Sequence, residues 1–349
     1  MHHKRPAPRS PRPVAALALL LVVAVGACGG STGPSAPASA SASSSSSAAP
    51  VALTVGLGYI PSVQFAQFYL ADRAGYYRDA GLSVTLQNQI DPNLITLVGQ
   101  GAIDIGSGDG TSVIPAVSQG IPVVYTATLY GSFPSIVVAT ASSGIRTAVD
   151  LRGKRIGIPG KYGSSWIMLQ ALLGSAGLTP ADVTIVLYPD YGQATALQQG
   201  VVDAATGFSN NEPVMLQQAG VHTIVLTVDA IVPLPGPGLV TGTATLASKK
   251  QALAAFTAAT LRAMNQIVAK PQDGLDATFA AVPDLARDPV LQRAILDATI
   301  ATWKSPKAGA ALGAIDTAGW QQSLDYLTTL GLVPHKVTVD QLVSTALLP

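Results

Sequence analysis

The chain has 349 residues, with 20 Lys and Arg against 19 Asp and Glu, and is 48% apolar but only 11% charged. Such a balance points to a well-buried globular body and away from a nucleic-acid binder, which needs a basic surface. Cys28 is the one cysteine, so disulfides and Cys-based metal sites are both excluded.

Residues 1–27 read as an export signal. A basic head (Lys4, Arg5, Arg9, Arg12) precedes an apolar run from Val14 to Val25. The run has 12 residues, whereas a spanning helix needs ~20. Val25-Gly26-Ala27-Cys28 resembles a bacterial lipobox, which implies lipidation of Cys28 and a mature protein tethered outside a membrane. Gly29 to Pro50 is almost all Ser, Ala, Gly and Pro and reads as a flexible tether. The mature part keeps 16 basic against 19 acidic residues, since four of the 20 fall in the signal.

From Val51 onward roughly 300 residues remain, more than one core usually takes, which predicts two lobes. Thr54 to Leu57 is a short strand, Gly58 to Ser62 breaks it, and Ser62 starts a helix that Gly75 stops. A strand that runs through a Gly/Pro loop carrying an aromatic into a helix N-terminus is the usual lip of an α/β binding site, which makes Tyr59 a ligand candidate. A strand-end residue packed on its neighbour accounts for Tyr59 equally well.

Asp91-Pro92 starts a short helix to about Gln100. Gln100 to Ile105 turns into a strand, and the loop 106–110 leads to a helix through Val117. Ile121 to Leu129 is near-continuously apolar, as in a strand buried on both faces, and Tyr130 lies just past its end. Gly144 to Arg152 reads as a crossing segment before the strand Ile156 to Ile158. Ser164 then caps a helix that runs through Ala176. A strand at Val183 to Leu187 and a helix at Gly192 to Gln199 follow.

Gln199-Gly200-Val201-Val202-Asp203-Ala204 repeats the pattern of Gln100 to Ile105, Gln-Gly-x-apolar-Asp-apolar, 99 residues later. Two lobes built alike are expected: 51–143 with 238–349, and 144–237. Thr223 to Thr227 is a further strand, and the Pro-rich loop 233–237 reads as the return connection. Helices are expected at 250–268, 274–281, 289–302 and 317–330, bracing the first lobe, with Trp303 and Trp320 in their contacts.

Gly58-Tyr59-Ile60-Pro61-Ser62, Gln64-Phe65, Tyr69-Leu70-Ala71, Gly75-Tyr76-Tyr77 and Ala80-Gly81-Leu82-Ser83-Val84 together resemble the opening of NMT1/THI5-like substrate-binding proteins. Importers of thiamine pyrimidine precursors, and relatives for riboflavin, share that opening. The resemblance implies an α/β type II periplasmic binding protein, two α/β lobes with a ligand cleft between them, bound to no cofactor. It further implies an extracytoplasmic component that acts as a monomer and delivers a small aromatic heterocycle to an ABC permease.

In such a fold the strand-end loops of both lobes form the site. Here those loops carry Tyr59, Tyr130, Tyr162, Trp166, Tyr188, Tyr191 and Phe208, rings that suit stacking on a flat ligand; about half are expected to miss it. Ser62, Gln64, Ser107 and Ser164 are polar candidates on the same loops. Asp109 and Glu212, the chain's one Glu, can accept from ring amino groups, and Asn210 and Asn211 can donate and accept at the rim. In the resembled group a Glu in the matching loop bonds an aminopyrimidine. The alternative for Glu212 is a carboxylate that stabilises a helix N-terminus.

No Arg lies on these loops and Lys161 is their one cation, which disfavours sulfonate or other anionic ligands. Enzymatic readings do poorly. His222 and His335 stand beside no nucleophile, and the cysteine motif of the fungal pyrimidine synthases is missing, so a non-enzymatic binder is expected.

Overall fold

The computed structural model describes residues 49–88, 93–305 and 307–349. The signal, Cys28, the tether up to residue 48 and the Asp91-Pro92 helix start lie outside these. Two five-stranded mixed sheets organise the described chain.

The first sheet has the order β2-β1-β3-β10-β4, with β1 Val51–Gly56, β2 Leu82–Gln87, β3 Ile105–Asp109, β4 Val123–Thr128 and β10 Pro237–Gly242. Its helices in the first half of the chain are α1 Ala66–Arg73, α2 Tyr76–Asp79, α3 Leu94–Gly99 and α4 Gly110–Ser118. The second sheet has the order β7-β6-β8-β5-β9, with β5 Ser135–Thr140, β6 Arg155–Ile158, β7 Thr184–Leu187, β8 Ala204–Phe208 and β9 Thr223–Leu226. It carries α5 Gly163–Ser175, α6 Gln193–Gln198 and α7 Glu212–Gln218.

The two orders are the same. In each sheet the first strand lies parallel between the second and third, and the fourth place is taken by an antiparallel strand, β10 or β5. These two strands adjoin the crossings between sheets, from β4 to β5 and from β9 to β10.

The first crossing therefore falls earlier than the sequence suggested. Ser135–Thr140 pairs with β8 and β9, so residues 135–143 belong with the second sheet rather than the first. Residues 144–152, read as the crossing, form a 3₁₀ turn over Ala148–Leu151 inside the second lobe, with a capping box between Thr147 and Asp150. The apolar run Ile136 to Ala139 has no polar alternation because β5 is buried on both faces.

The repeated hexapeptide has one physical job in both lobes. Gly101 and Gly200 turn the chain at φ +74° and +71° after α3 and α6, a left-handed conformation that glycine adopts without strain. Ile103 and Val202 enter the core. The Asp then accepts from a backbone amide of the lobe's first strand: Thr54 N–H to Asp104 Oδ2 at 2.9 Å, Arg155 N–H to Asp203 Oδ2 at 2.8 Å. A cation completes each lock, Lys249 at 2.7 Å and Arg155 at 2.9 Å.

The remaining helices are α8 Thr243–Ala269, kinked at Lys249, α9 Pro271–Ala281, α10 Pro289–Trp303, α11 Thr317–Thr329 and the short α12 Val339–Leu342. Phe256 of α8 stacks on Tyr77 (4.9 Å) and on Phe68 (6.2 Å), so α8 braces the first lobe as expected. The bracing is not confined to that lobe. Tyr326 of α11 donates to the Ala171 carbonyl of α5, and Thr299 of α10 meets Asn210 of the second lobe. Trp303 and Trp320 are core residues, each 2% exposed.

Candidate functional site

A cavity of about 650 Å³ lies where the strand ends of both sheets meet. The first lobe contributes the β1 end (Leu57 to Tyr59), Gln64 and Phe65, and the β3 end (Ser107 to Asp109); Leu94 and Ile95 of α3 and Tyr130 complete that wall. The second lobe contributes residues 161–167, Tyr191, Gln193, Gly207, Phe208, Asn211 and Glu212. Of the 13 residues singled out as site candidates, all but Ser62 and Asn210 line this space.

Ser62 is a cap. Its hydroxyl accepts from the Gln64 amide at 3.2 Å, at the start of the 3₁₀ turn Val63–Phe65 that precedes α1. Asn210 is a bridge, 1% exposed: its Nδ2 donates to Gln64 Oε1 at 3.0 Å and to Thr299 Oγ1 at 2.9 Å, tying the β8–α7 loop to the first lobe and to α10. Ser164 lines the cavity but does not cap α5; Tyr162 holds that place, and Ser164 is the second residue of the helix. Of the seven predicted ring residues Tyr188 alone stays off the cavity, because it turns back onto the second lobe's own apolar cluster.

The other six rings surround the space. Tyr59 and Tyr191 meet edge to face across the cleft, centroids 4.7 Å apart. Tyr191 reaches this position from a left-handed backbone at φ +60°, a conformation that costs a tyrosine of order 1 kcal/mol and that the surrounding loop must enforce. Asn211 lines the same cavity as the Tyr59 ring and the Glu212 carboxyl. Burial, with the Glu212 charge next, pushes the Tyr59 phenol well up; burial likewise raises Tyr191. Both hydroxyls stay protonated and can donate.

Glu212 opens α7, yet its carboxylate folds back over β8, where Oε2 accepts from the Phe208 amide at 2.6 Å. It lies against Gly207, where a Cβ atom would sit 2.6 Å from the carboxyl carbon. Burial pushes Glu212 up to about 7, although the Phe208 and Glu212 amides and the Asn211 side chain oppose the rise. Asp109 is pushed above the ordinary carboxylate range by burial too. Among the described lining residues Lys161 is the one cation, and its ammonium lies 5.8 Å over the Trp166 ring rather than on either acid.

Three parts of the wall were not read from the sequence: Leu94 and Ile95 of α3, Ser112, Pro115 and Ala116 of α4, and Leu332 and Pro334 after α11 line the cavity. The α3 and 332–334 segments are apolar and look like ordinary core in sequence, and residues 332–334 arrive from far along the chain.

The NMT1/THI5-like family model matches residues 62–274, which span most of both sheets and nearly all of these wall loops. The chain belongs to the NMT1/THI5-like family. Its relatives include the riboflavin-binding protein RibY of Chloroflexus aurantiacus, 30% identical over 302 residues that cover 85% of this chain and 86% of RibY. A 4-amino-5-hydroxymethyl-2-methylpyrimidine phosphate synthase of Legionella pneumophila is 26% identical over 69% of this chain and 77% of its own. In fold the chain is similar to the periplasmic aliphatic sulphonate binding protein SsuA of Escherichia coli (TM-score 0.65, 19% identity, 84% of this chain and 97% of that one). The alkanesulfonate-binding SsuA of Xanthomonas axonopodis pv. citri, bound to MOPS, gives a TM-score of 0.67 at 18% identity, covering 85% of this chain and 99% of that one. The fold is thus that of the periplasmic binding proteins, as the family membership implies.

Proposed function

We propose that the protein is the substrate-binding component of an ABC importer, and that its cavity takes a flat, non-anionic heteroaromatic ligand of flavin size. One observation carries the reading: a cavity of about 650 Å³ between two lobes, walled by six rings and two acids and holding no Arg. Its volume falls mid-range among pockets of roughly 300–1,000 Å³ that bury a drug-sized ligand. A three-ring isoalloxazine with its side chain fills that space, and offset stacking on such rings adds about 0.5–1.5 kcal/mol per pair beyond buried area. The RibY likeness over 85% of the chain supports the same class.

An aminopyrimidine, the thiamine-precursor type, is the second reading, favoured by Glu212. A buried carboxylate bonded to backbone on one oxygen is suited to accept from a ring amino group with the other. The ligand is carried unchanged. Among the described lining residues there is no His or Cys, and Glu212 and Asp109 act as acceptors and donors rather than as a catalytic pair. In the cell the protein acts outside the cytoplasm as a monomer, anchored through lipidated Cys28, and hands its ligand to a membrane permease.

Thermal-shift and calorimetric titration of the purified protein against riboflavin, 4-amino-5-hydroxymethyl-2-methylpyrimidine, thiamine and taurine tests this. Riboflavin is expected to raise Tm most and to be recovered intact by mass spectrometry. Stabilisation by taurine alone would overturn the ligand class, and conversion of any bound ring to a new mass would overturn the carrier role.

A further inference from the structure

The loop after β8 reaches across the cleft at a residue outside the ligand space. Asn210 is 1% exposed and does not line the cavity. Its Nδ2 donates to two acceptors on separate segments, Gln64 Oε1 at 3.0 Å and Thr299 Oγ1 at 2.9 Å. Gln64 lies in the 3₁₀ turn that precedes α1. Thr299 lies on α10, whose Ile295, Leu296 and Trp303 are buried in the same apolar cluster as β1 and α1. Both prongs of the amide therefore end in the first lobe, while its backbone belongs to the second.

The acceptors are themselves held. Gln64 Nε2 donates to Ser62 Oγ at 3.1 Å, and the Thr299 hydroxyl donates to the Ile295 carbonyl at 2.7 Å, which leaves its lone pairs for the amide. Asn210 Oδ1 is buried with no partner among the described residues. A buried orphan acceptor is a cost that an apolar residue would not carry, so what this amide contributes is its donors. One turn on, Val214 of α7 packs against the first lobe's apolar cluster, which extends the contact along the helix that Glu212 opens. Beside this contact Glu212 is 6% exposed, and its loop is fixed from within by the Phe208 amide on Oε2 and by the Ser209 amide on the Pro134 carbonyl. The titratable groups that share its cavity are Tyr59, Asp109, Tyr130, Lys161, Tyr162 and Tyr191.

We propose that Asn210 is a positioning residue whose forked bond clasps the two lobes shut over Glu212 and so keeps that carboxyl out of water. The clasp sits outside the ligand space, so closure is favoured by the protein's own contacts as well as by a ligand. Breaking it lets the lobes part at this lip, water reaches the carboxyl, and a charge on Glu212 becomes less costly. Asn210→Ala exchanges one neutral side chain for another. It therefore acts on Glu212 through position and solvation, with no new charge beside the phenols, Asp109 or Lys161. The role is independent of the ligand class proposed above and stands without it.

Glu212 is the chain's one Glu, so protein labelled with glutamate enriched in 13C at the side-chain carboxyl gives a single titrating glutamate signal, followed by NMR with no ligand added. In wild type the midpoint is expected at the value to which burial raises it, about 7. In Asn210→Ala it is expected to fall to about 6 or below, toward the ordinary 4.5, and small-angle X-ray scattering of the same sample is expected to give a larger radius of gyration. Thr299→Val, which removes the acceptor of one prong, is expected to lie between the two and carries the comparison if Asn210→Ala fails to fold. Ser209→Ala, in the same loop, is expected to titrate as wild type. A wild-type midpoint at the ordinary value, or Asn210→Ala and Thr299→Val midpoints that match wild type, overturns the proposal. A midpoint that falls at unchanged radius also overturns it, since the loop alone would then have loosened. So does an equal fall in Ser209→Ala, because any change in the loop would then suffice.

Discussion

In the first lobe the third strand ends on its acid, Asp109; in the second the equivalent strand ends on Phe208 and the acid follows as Glu212. Up to that point the lobes agree: strand order, helix-ending glycine, buried apolar residue and aspartate lock all recur. They part at the strand ends because the core constrains the strands while only the ligand and the opposite lobe constrain what lies beyond them. The two acids consequently live differently. Asp109 faces the cavity from the strand end and does not cap α4, whereas Glu212 is bonded to its own loop.

That contrast is broken most strongly at Glu212. Its carboxyl is raised from the ordinary 4.5 to about 7, mainly by burial. The folded protein therefore holds a proton that the unfolded chain has released between those pH values. Stability from this group is full below about pH 4.5 and is lost as pH rises through about 7, a change of about 3 kcal/mol. Glu212→Gln keeps an acceptor for the Phe208 amide and has no charge to bury. The variant is expected to match wild type near pH 4.5 and to exceed it by up to about 3 kcal/mol at pH 8, in urea unfolding at both pH values. Parallel curves for the two proteins would mean that Glu212 ionises as if exposed.

Legibility in the sequence followed the same division. The hexapeptide repeat announced two like lobes because its glycine, apolar residue and aspartate each answer a local need that composition and spacing display. Lip rings were legible for a related reason: Tyr59, Tyr130 and Tyr191 follow strands whose ends the apolar runs mark. Strand β5 was missed since Ser135–Thr140, buried on both faces, carries no period of two, and the crossing was consequently placed too late. Ser62 and Asn210 misled because a hydroxyl or amide on a site loop reads alike whether it meets a ligand, caps a turn or bridges to a distant helix. Thr299, the partner of Asn210, lies 89 residues away, and no local pattern points to it.

The shared aspartate locks give a finer test of likeness. Asp104 is the more enclosed, its side chain 13% exposed against 32% for Asp203. Removing it strands a part-buried Thr54 amide and the Lys249 ammonium, whereas Arg155 is more open to water. Asp104→Ala is expected to cost about 2 kcal/mol and Asp203→Ala about 1 kcal/mol or less. Chemical denaturation of both measures the difference. Equal losses would show that burial does not distinguish the two locks.

A last comparison falls where the lobes hold equivalent glycines, Gly108 and Gly207, each one residue before its strand ends. A Cβ at Gly108 meets Ile95 Cδ1 at 2.9 Å and Val240 Cγ2 at 3.3 Å, so Gly108→Ala presses on packed side chains and should cost about 1 kcal/mol. A Cβ at Gly207 meets the Glu212 carboxyl at 2.6 Å. Moving that group breaks its bond to the Phe208 amide, so Gly207→Ala should cost about 1–2 kcal/mol and should weaken binding more than Gly108→Ala does. Titration with the ring that gives the largest thermal shift is expected to show at least a tenfold weakening in Gly207→Ala, and a smaller one in Gly108→Ala. The reverse order would mean that the first lobe's strand end, not the folded-back glutamate of the second, sets the grip on the ligand.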